Sequence, residues 1–293
     1  MKSIRQVLVH INDSPRSRKV ALLAASLAAA HGATLAALHA VESPTAGAYL
    51  SPEASALAAQ LTRDAVRGRL DQARALVEGV ASECGIDLPF ESTTGDPLAA
   101  LLRRAHCTDL LVLGQRDPEQ PDGNDAGFPG RLLVRAGCPL LFVPYASDFV
   151  GGPPSCGRRV LVAWSGSRES ARALRDALPL LERADHVELL RYTRPGDGAD
   201  DALDVVAAHL RRHGIEAKCT LRHGPHPTIA ERMLPRWTPD APVAEALLSH
   251  AADCDADLIV TGGYGHPRAW ELALGGVTRT LLQSMTVPVL MSH

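Results

Sequence analysis

The sequence predicts an α/β protein built from two doubly wound parallel-sheet domains in tandem, and three observations carry that prediction. First, short aliphatic runs alternate with helical stretches along the chain, the order expected of a parallel sheet covered by helices on both faces. Second, the chain contains itself twice. Gln6-Val-Leu-Val-His-Ile-Asn-Asp-Ser14 reappears as Arg159-Val-Leu-Val-Ala-Trp-Ser-Gly-Ser167, Asp109-Leu-Leu-Val-Leu-Gly114 as Asp257-Leu-Ile-Val-Thr-Gly262, and Pro139-Leu-Leu-Phe-Val143 as Pro288-Val-Leu-Met-Ser292, all in the same order. Third, 293 residues suit two domains at about 100–200 residues each, and Gly151-Gly-Pro-Pro-Ser155 between the copies has the composition of a linker. The domains therefore fall at 1–146 and 157–293.

In the first copy the aliphatic run Val7 to Ile11 is a strand and Ser17 to Ala30 a helix, with Asp13-Ser-Pro15 supplying turn and cap chemistry between them. Thr34 to Val41 is a strand, and Pro52 to Cys84 a long amphipathic helix. A weak strand at Leu88 to Ser92 leads through Asp96-Pro97, again cap chemistry, into a helix from Pro97 to Ala105. A strand at Leu110 to Leu113, a helix over Gly130 to Ala136 and a strand at Leu140 to Val143 complete the copy. The second copy repeats the order, with strands at Val160 to Ala163, Val187 to Tyr192, Ala217 to Leu221, Leu258 to Thr261 and Val289 to Met291. Its first helix, Ser170 to Leu181, has Ser167 placed as N-cap. Five strands per copy make a doubly wound sheet.

Composition narrows function by exclusion. Hydrophobic residues are 46% and charged residues 22%, ordinary for a globular protein. Lys plus Arg (30) nearly balance Asp plus Glu (33) for a net charge of −3, so no nucleic-acid partner is expected. The uncharged run Val20 to Ala30 is about half of the ~20 residues a membrane helix needs. The segment Met1 to Gln6 has no apolar run leading to a cleavage site. A cytoplasmic protein without a membrane partner is the expectation. The six cysteines form no C-x-x-C pair and are expected to be buried free thiols.

An open parallel sheet binds ligands at the carboxyl ends of its strands, where strand order reverses. In the second copy those positions are Trp164-Ser-Gly-Ser167 after the first strand and Gly262-Gly263-Tyr264-Gly265-His266 after the fourth. The glycines continue at Gly275-Gly276-Val277-Thr278, giving G-x2-G-x9-G at the start of the last helix. Glycines there let main-chain N–H groups turn inward, and a helix amino end adds unpaired N–H groups and about half a positive charge. Together they suit a phosphate, and His266 beside Gly265 would add a cationic ring. The other reading is that these glycines only make turns and a close helix contact. Neither a Walker sequence nor a dinucleotide fingerprint is present.

With these motifs in hand the chain resembles a tandem universal stress protein. Gly262, Gly265 and Gly275 match the glycine pattern of the family's nucleotide-binding members, and both copies resemble the family except for an insertion around Pro225 to Pro242. The resemblance implies a Rossmann-like five-stranded sheet in order 3-2-1-4-5 in each domain and pairing of the two domains as an intrachain pseudo-dimer. It further implies ATP, with magnesium, or a related adenine nucleotide in the second domain. On that implication Gly262, Gly263, Gly265, Gly275, Gly276, Val277 and Thr278 surround phosphates and ribose, Ala163, Trp164 and Ser165 border base and ribose, and Tyr192 lies by the adenine. Two positions depart from the family: Gly276 stands where Ser or Thr is usual, and Ser165, preceded by Trp164, where ATP-binding members carry Asp.

The first copy breaks the pattern. Gly114 is followed by Gln115-Arg116-Asp117, which sets a carboxylate where a phosphate would sit, and Pro129 removes an N–H from the helix start. It is expected to bind no nucleotide and to serve as built-in partner. His209 and His213 lie four apart on a surface helix over Asp204 to His213, and His223 and His226 flank Gly224-Pro225 near Cys219, yet no metal set is named. No Ser-His-Asp order or nucleophile elbow appears, so no catalytic residue is named either. The expected function is sensing or regulation in stress, with at most slow ATP hydrolysis and further self-association through sheet edges. The alternative is a structural or interaction module of the same fold that binds no nucleotide.

Overall fold

The structure, a computed structural model, describes residues 3–12, 14, 16–42, 52–116, 127–146, 156–193, 202–225, 241–264 and 276–293. The first half runs β1 (Gln6–Ile11), α1 (Ser17–His31), β2 (Thr34–Glu42), α2 (Pro52–Cys84), β3 (Phe90–Gly95), α3 (Pro97–Ala105), β4 (Leu110–Gly114), α4 (Phe128–Arg135) and β5 (Leu140–Val143). The second runs β6 (Arg159–Ala163), α5 (Arg168–Leu181), β7 (His186–Thr193), α6 (Ala202–Arg211), β8 (Ala217–His223), α7 (Ala241–Asp253), β9 (Leu258–Gly262), α8 (Gly276–Ser284) and β10 (Val289–Ser292). The insertion around Pro225 to Pro242 lies almost wholly outside the described residues.

All ten strands join one sheet in the order β3-β2-β1-β4-β5-β10-β9-β6-β7-β8. Each half has the 3-2-1-4-5 order that the family resemblance implied, and every pairing inside a half is parallel. The halves meet through the one antiparallel pairing, β5 with β10, in register Val289 to Phe142, Leu290 to Leu141 and Met291 to Leu140. This seam turns two sheet edges into interior strands, and Leu140, Leu141, Leu290 and Met291 are completely buried. Helices α1, α2, α5 and α6 close one face over Val9, Val112, Val162 and Val260. Helices α3, α4, α7 and α8 close the other over Leu8, Leu111, Leu161 and Ile259. Strand residues of one run thus alternate between two layers, as the two-residue period of a strand requires.

The repeated aspartates have a structural role. Asp109 accepts hydrogen bonds from the N–H groups of Arg5 and Gln6, and Asp257 from those of Gly157, Arg158 and Arg159. Each carboxylate latches the start of its domain's first strand to its fourth. The helix starts likewise follow the sequence: Asp96 caps α3 by accepting from Leu98 N–H at 2.9 Å, and Ser167 caps α5 by accepting from Ser170 N–H at 3.1 Å.

Three expectations are corrected. The third strand begins at Phe90 rather than Leu88, because Pro89 has no N–H to donate and only its carbonyl joins the ladder, accepting from Ala37 at 2.8 Å. Helix α4 begins at Phe128 rather than Gly130, since a proline in the first turn occupies a position whose N–H needs no partner. Of the six cysteines, all expected to be buried, Cys84, Cys107 and Cys219 are exposed and only Cys138 is buried; burial and the Asp176 carboxylate push its thiol up to about 12. No described helix is long and apolar enough to cross a membrane.

The seam predicts a sharp contrast between two leucines. Leu141→Ala, at the centre of β5 and β10, should cost about 2–5 kcal/mol, read as a lower denaturant midpoint with unchanged cooperativity. Leu221→Ala on the outer strand β8, where the side chain is 50% exposed, should stay within about 0.5 kcal/mol.

Candidate functional site

The candidate site lies at the carboxyl ends of β6 and β9, adjacent strands between which the order of the second half reverses. It begins with the two glycines that follow β9's buried core. A Cβ at Gly262 would stand 2.5 Å from the main-chain nitrogen of Ser170 and 2.6 Å from the carbonyl carbon of Glu169. Glycine here is required because the amino end of α5 rests directly on the strand. A Cβ at Gly263 would drive into a terminal methyl of Leu133, which belongs to α4 of the other half. The close approach at both positions is therefore made by the protein itself. Gly263 N–H donates to Ser292 across to β10 at 2.9 Å.

The chain then passes through Tyr264 in the left-handed region, φ 57°, an uncommon conformation for a bulky residue that costs about 1–3 kcal/mol. Two contacts hold it: its N–H donates to the Thr278 hydroxyl at 3.2 Å, and its ring is buried in the layer beneath α7 and α8. Burial pushes the phenol up to about 12, and among the described residues no group partners its hydroxyl. Gly276 and Thr278 are buried in the first turn of α8, with Val277 between them partly exposed. Gly265, His266 and Gly275 lie outside the described residues.

The residues expected around a base and ribose divide between the two faces. Ala163, Tyr192 and Val277 pack against the layer that holds Tyr264. Trp164 packs into the opposite layer, formed with α5 and α6, and its indole nitrogen is buried with no partner among the described residues. Its partly buried ring packs against that layer, whereas Tyr192 packs against the other. Ser165 is exposed and its hydroxyl bonds that of Ser167 at 3.1 Å, inside the cap of α5.

Two charged residues at this end of the sheet were not anticipated. Glu169, in the first turn of α5 beneath Gly262, is 7% exposed. Burial alone would raise its carboxyl, but its own N–H, the Ser167 hydroxyl and the Arg168 guanidinium outweigh that and hold it below the ordinary range. The sequence signal was available, an acidic residue two positions after a serine N-cap. Arg191, next to Tyr192, brings a guanidinium nitrogen to 3.3 Å from where a Cβ on Gly166 would stand.

The equivalent place in the first half is built differently. Gln115 follows β4, and its side chain donates to Leu282 O of α8 at 3.0 Å and accepts from Tyr145 N–H at 3.0 Å. Asn12, after β1, spends its side-chain oxygen on Ser14 N–H and the Ser17 hydroxyl. Pro129 stands in the first turn of α4, while Asp117 lies outside the described residues. Of the other histidines, His209 and His213 pair ring to ring at 4.9 Å, His223 shares a 3.1 Å contact with the Thr193 hydroxyl, and His293 Nδ1 lies 3.1 Å from the Gly263 carbonyl. Cys219 donates instead to Leu203 O, and His226 lies outside the described residues.

Comparison with known proteins agrees with this architecture. The profile of the universal stress protein family matches the chain twice, over residues 3–144 and 157–293. Among solved structures the chain is similar to a universal stress protein from Archaeoglobus fulgidus DSM 4304, with a TM-score of 0.71 and 18% identity, covering 98% of this chain and 97% of that one. It is also similar to a functionally unknown protein from Pseudomonas aeruginosa PAO1, with a TM-score of 0.56 and 15% identity over 99% and 92% of the two chains. At such identities the likeness establishes the fold. No curated protein matches the sequence.

The packing of Gly263 predicts a coupled pair. Gly263→Ala should destabilise by about 1–3 kcal/mol through overpacking, and less in a Leu133→Ala background, a double-mutant cycle giving coupling of about 0.5–3 kcal/mol. Glu169 predicts a pH dependence. Its folded pKa lies below the unfolded 4.5, so its stabilising effect is full above that value and is lost as pH falls through the folded one. The difference in melting temperature between the wild type and Glu169→Gln should be widest above pH 4.5 and should close as the pH is lowered beneath it.

Proposed function

Because the chain belongs to the universal stress protein family, we propose that it acts in the stress response as an internally paired regulator whose second half alone binds an adenine nucleotide. The observation that carries this reading is the difference between the two switch points. In the first half a glutamine side chain and a helix-start proline occupy the end of β4. In the second, β9 leads through a left-handed Tyr264 toward a helix that starts at Gly276. Strained backbone of this kind concentrates at ligand sites, and the amino end of α8 offers main-chain donors and the positive end of a helix dipole to a phosphate.

On this reading Gly276, Val277 and Thr278 supply the main-chain cradle together with Gly265, Gly275 and His266. Ala163 and Tyr192 line the adenine side, and ATP with magnesium is the natural ligand. Arg191 favours a phosphate nearby, whereas the ionised Glu169 opposes one and disfavours extra negative charge beneath Gly262. We assign no catalytic group, so turnover no faster than slow ATP hydrolysis is expected, in a cytoplasmic protein that associates further through its outer strands β3 and β8.

A second reading has its own support. Gly262 and Gly263 are both accounted for by contacts within the protein, and Trp164 is turned into the α5 and α6 layer. These features suit an interaction module that binds no nucleotide.

Thermal melting with ATP and magnesium separates the two. Saturable binding at 100 times the dissociation constant should add about 2.7 kcal/mol of stability. Gly265→Asp, which installs in the second half the carboxylate present at Asp117 in the first, should abolish that gain while leaving the unliganded melt in place. An absence of any shift at millimolar ATP would leave the module reading standing.

A further inference from the structure

The opposite end of the same strands carries a different chemistry. Near the start of β7, Glu188 is 9% exposed. It faces the carboxyl end of α7, where His250 and Cys254 stand four residues apart and so share one side of the helical turn. The carboxylate oxygen, imidazole nitrogen and thiol sulfur of these three residues all lie within 4.8 Å of one another. His250 Nε2 is already 2.8 Å from Glu188 Oε1. A cleft of about 670 Å³ opens beside them, with Glu188 and Cys254 in its wall together with Asp185, Glu216 and Lys218.

We propose that Glu188, His250 and Cys254 form a binding site for a zinc-class divalent cation, whose fourth position opens to water in this cleft. The donor set is mixed N, O and S, the combination zinc takes in tetrahedral sites with bonds of about 2.0–2.3 Å. Such bonds require donors about 3.3–3.5 Å apart, so the widest spacing, within 4.8 Å, must close by about an ångström while the 2.8 Å contact of His250 with Glu188 opens slightly. The carboxyl end of a helix carries partial negative charge and favours a cation there.

An outer shell is present as well. Thr220 donates its hydroxyl to Glu188 Oε1 at 2.6 Å and fixes the carboxylate's orientation, the kind of support that sets metal affinity. Lys218 Nζ sits 3.2 Å from Glu188 Oε2. Its side chain is 72% exposed and is free to swing into solvent when the cation arrives. On binding, the Cys254 thiol gives its proton to solvent, and the imidazole bonds through Nε2 while keeping its proton on Nδ1. The site is independent of the nucleotide crevice and does not rest on it.

Cobalt(II) titration of the reduced full-length protein without nucleotide tests the proposal. It should give a thiolate-to-cobalt charge-transfer band and tetrahedral ligand-field bands that saturate at one equivalent per chain and are displaced by zinc. Cys254→Ser should lose the charge-transfer band, and His250→Gln should weaken binding about tenfold or more, with far-ultraviolet circular dichroism confirming that both variants are folded. A missing band in the wild type, or an unchanged band in Cys254→Ser, would overturn the assignment. If Cys254→Ser fails to fold, zinc equilibrium dialysis of His250→Gln decides, and wild-type affinity there counts against the site.

Discussion

The antiparallel pairing of β5 with β10 is the constraint on which the rest of the molecule depends. Each half ends in a four-residue strand with every side chain buried, and neither strand would have a partner on its outer side if the halves came apart. Main-chain groups left unpaired next to such apolar surface are costly, and an uncovered apolar edge is a site of aggregation. Joining the two edges satisfies both ladders at once and lets α4 and α8 share one layer. The linker supplies proximity, but the register Leu290 to Leu141 fixes the geometry.

Once the halves are held by that seam, matched positions come into contact across it and their differences become visible. Gln115 and Gly263 are counterparts after the fourth strand of each half, and both donate N–H to the last residue of the neighbouring strand. Leu133 and Leu282 are counterparts in the final helix of each half. On one side Gln115 reaches over to the Leu282 carbonyl; on the other Leu133 occupies the space that a side chain at 263 would need. Two identical chains would have to present the same residue on both sides of their axis. Fusion removed that requirement, so one contact became a hydrogen bond and the other a knob against a glycine. The same freedom lets the second half carry glycines where the first has Gln115 and Asp117.

Much of this was legible in the sequence because it rests on local periodicity. The aliphatic runs, the serine and aspartate caps and the three segments repeated in both halves placed nearly every strand and helix, and the errors at β3 and α4 both came from a proline whose missing N–H acts differently at a strand start and a helix start. The site was less legible. Glycine announces that a Cβ is excluded but not what excludes it, so Gly262 and Gly263 read as ligand contacts although α5 and Leu133 are what approach them. Trp164 followed the strand period onto the face opposite Ala163, and only the layer assignment reveals which neighbours that gives it. The spacing of His250 and Cys254 was visible as a helical pair, yet Glu188 joins them through sheet order and helix placement, which no local pattern encodes.

A parallel sheet is polar along its strands, and the two sites proposed for the second half lie at opposite ends of it. At the carboxyl ends the strands hand over to helix amino termini, so the groups presented there are main-chain N–H donors and the positive ends of helix dipoles, suited to anions. At the amino ends the strands are entered from helix carboxyl termini, which present carbonyl groups and partial negative charge. The side chains divide less cleanly: Arg191 and Glu169 both lie at the carboxyl end, and Glu188, Asp185 and Glu216 share the amino end with Arg159 and Lys218. The first half has the same architecture but spends its polar groups internally: Gln115 donates to Leu282 O, while the Asn12 side-chain oxygen and the Asp109 carboxylate accept. The proposed anion and cation sites would thus stand at opposite ends of the strands of one domain.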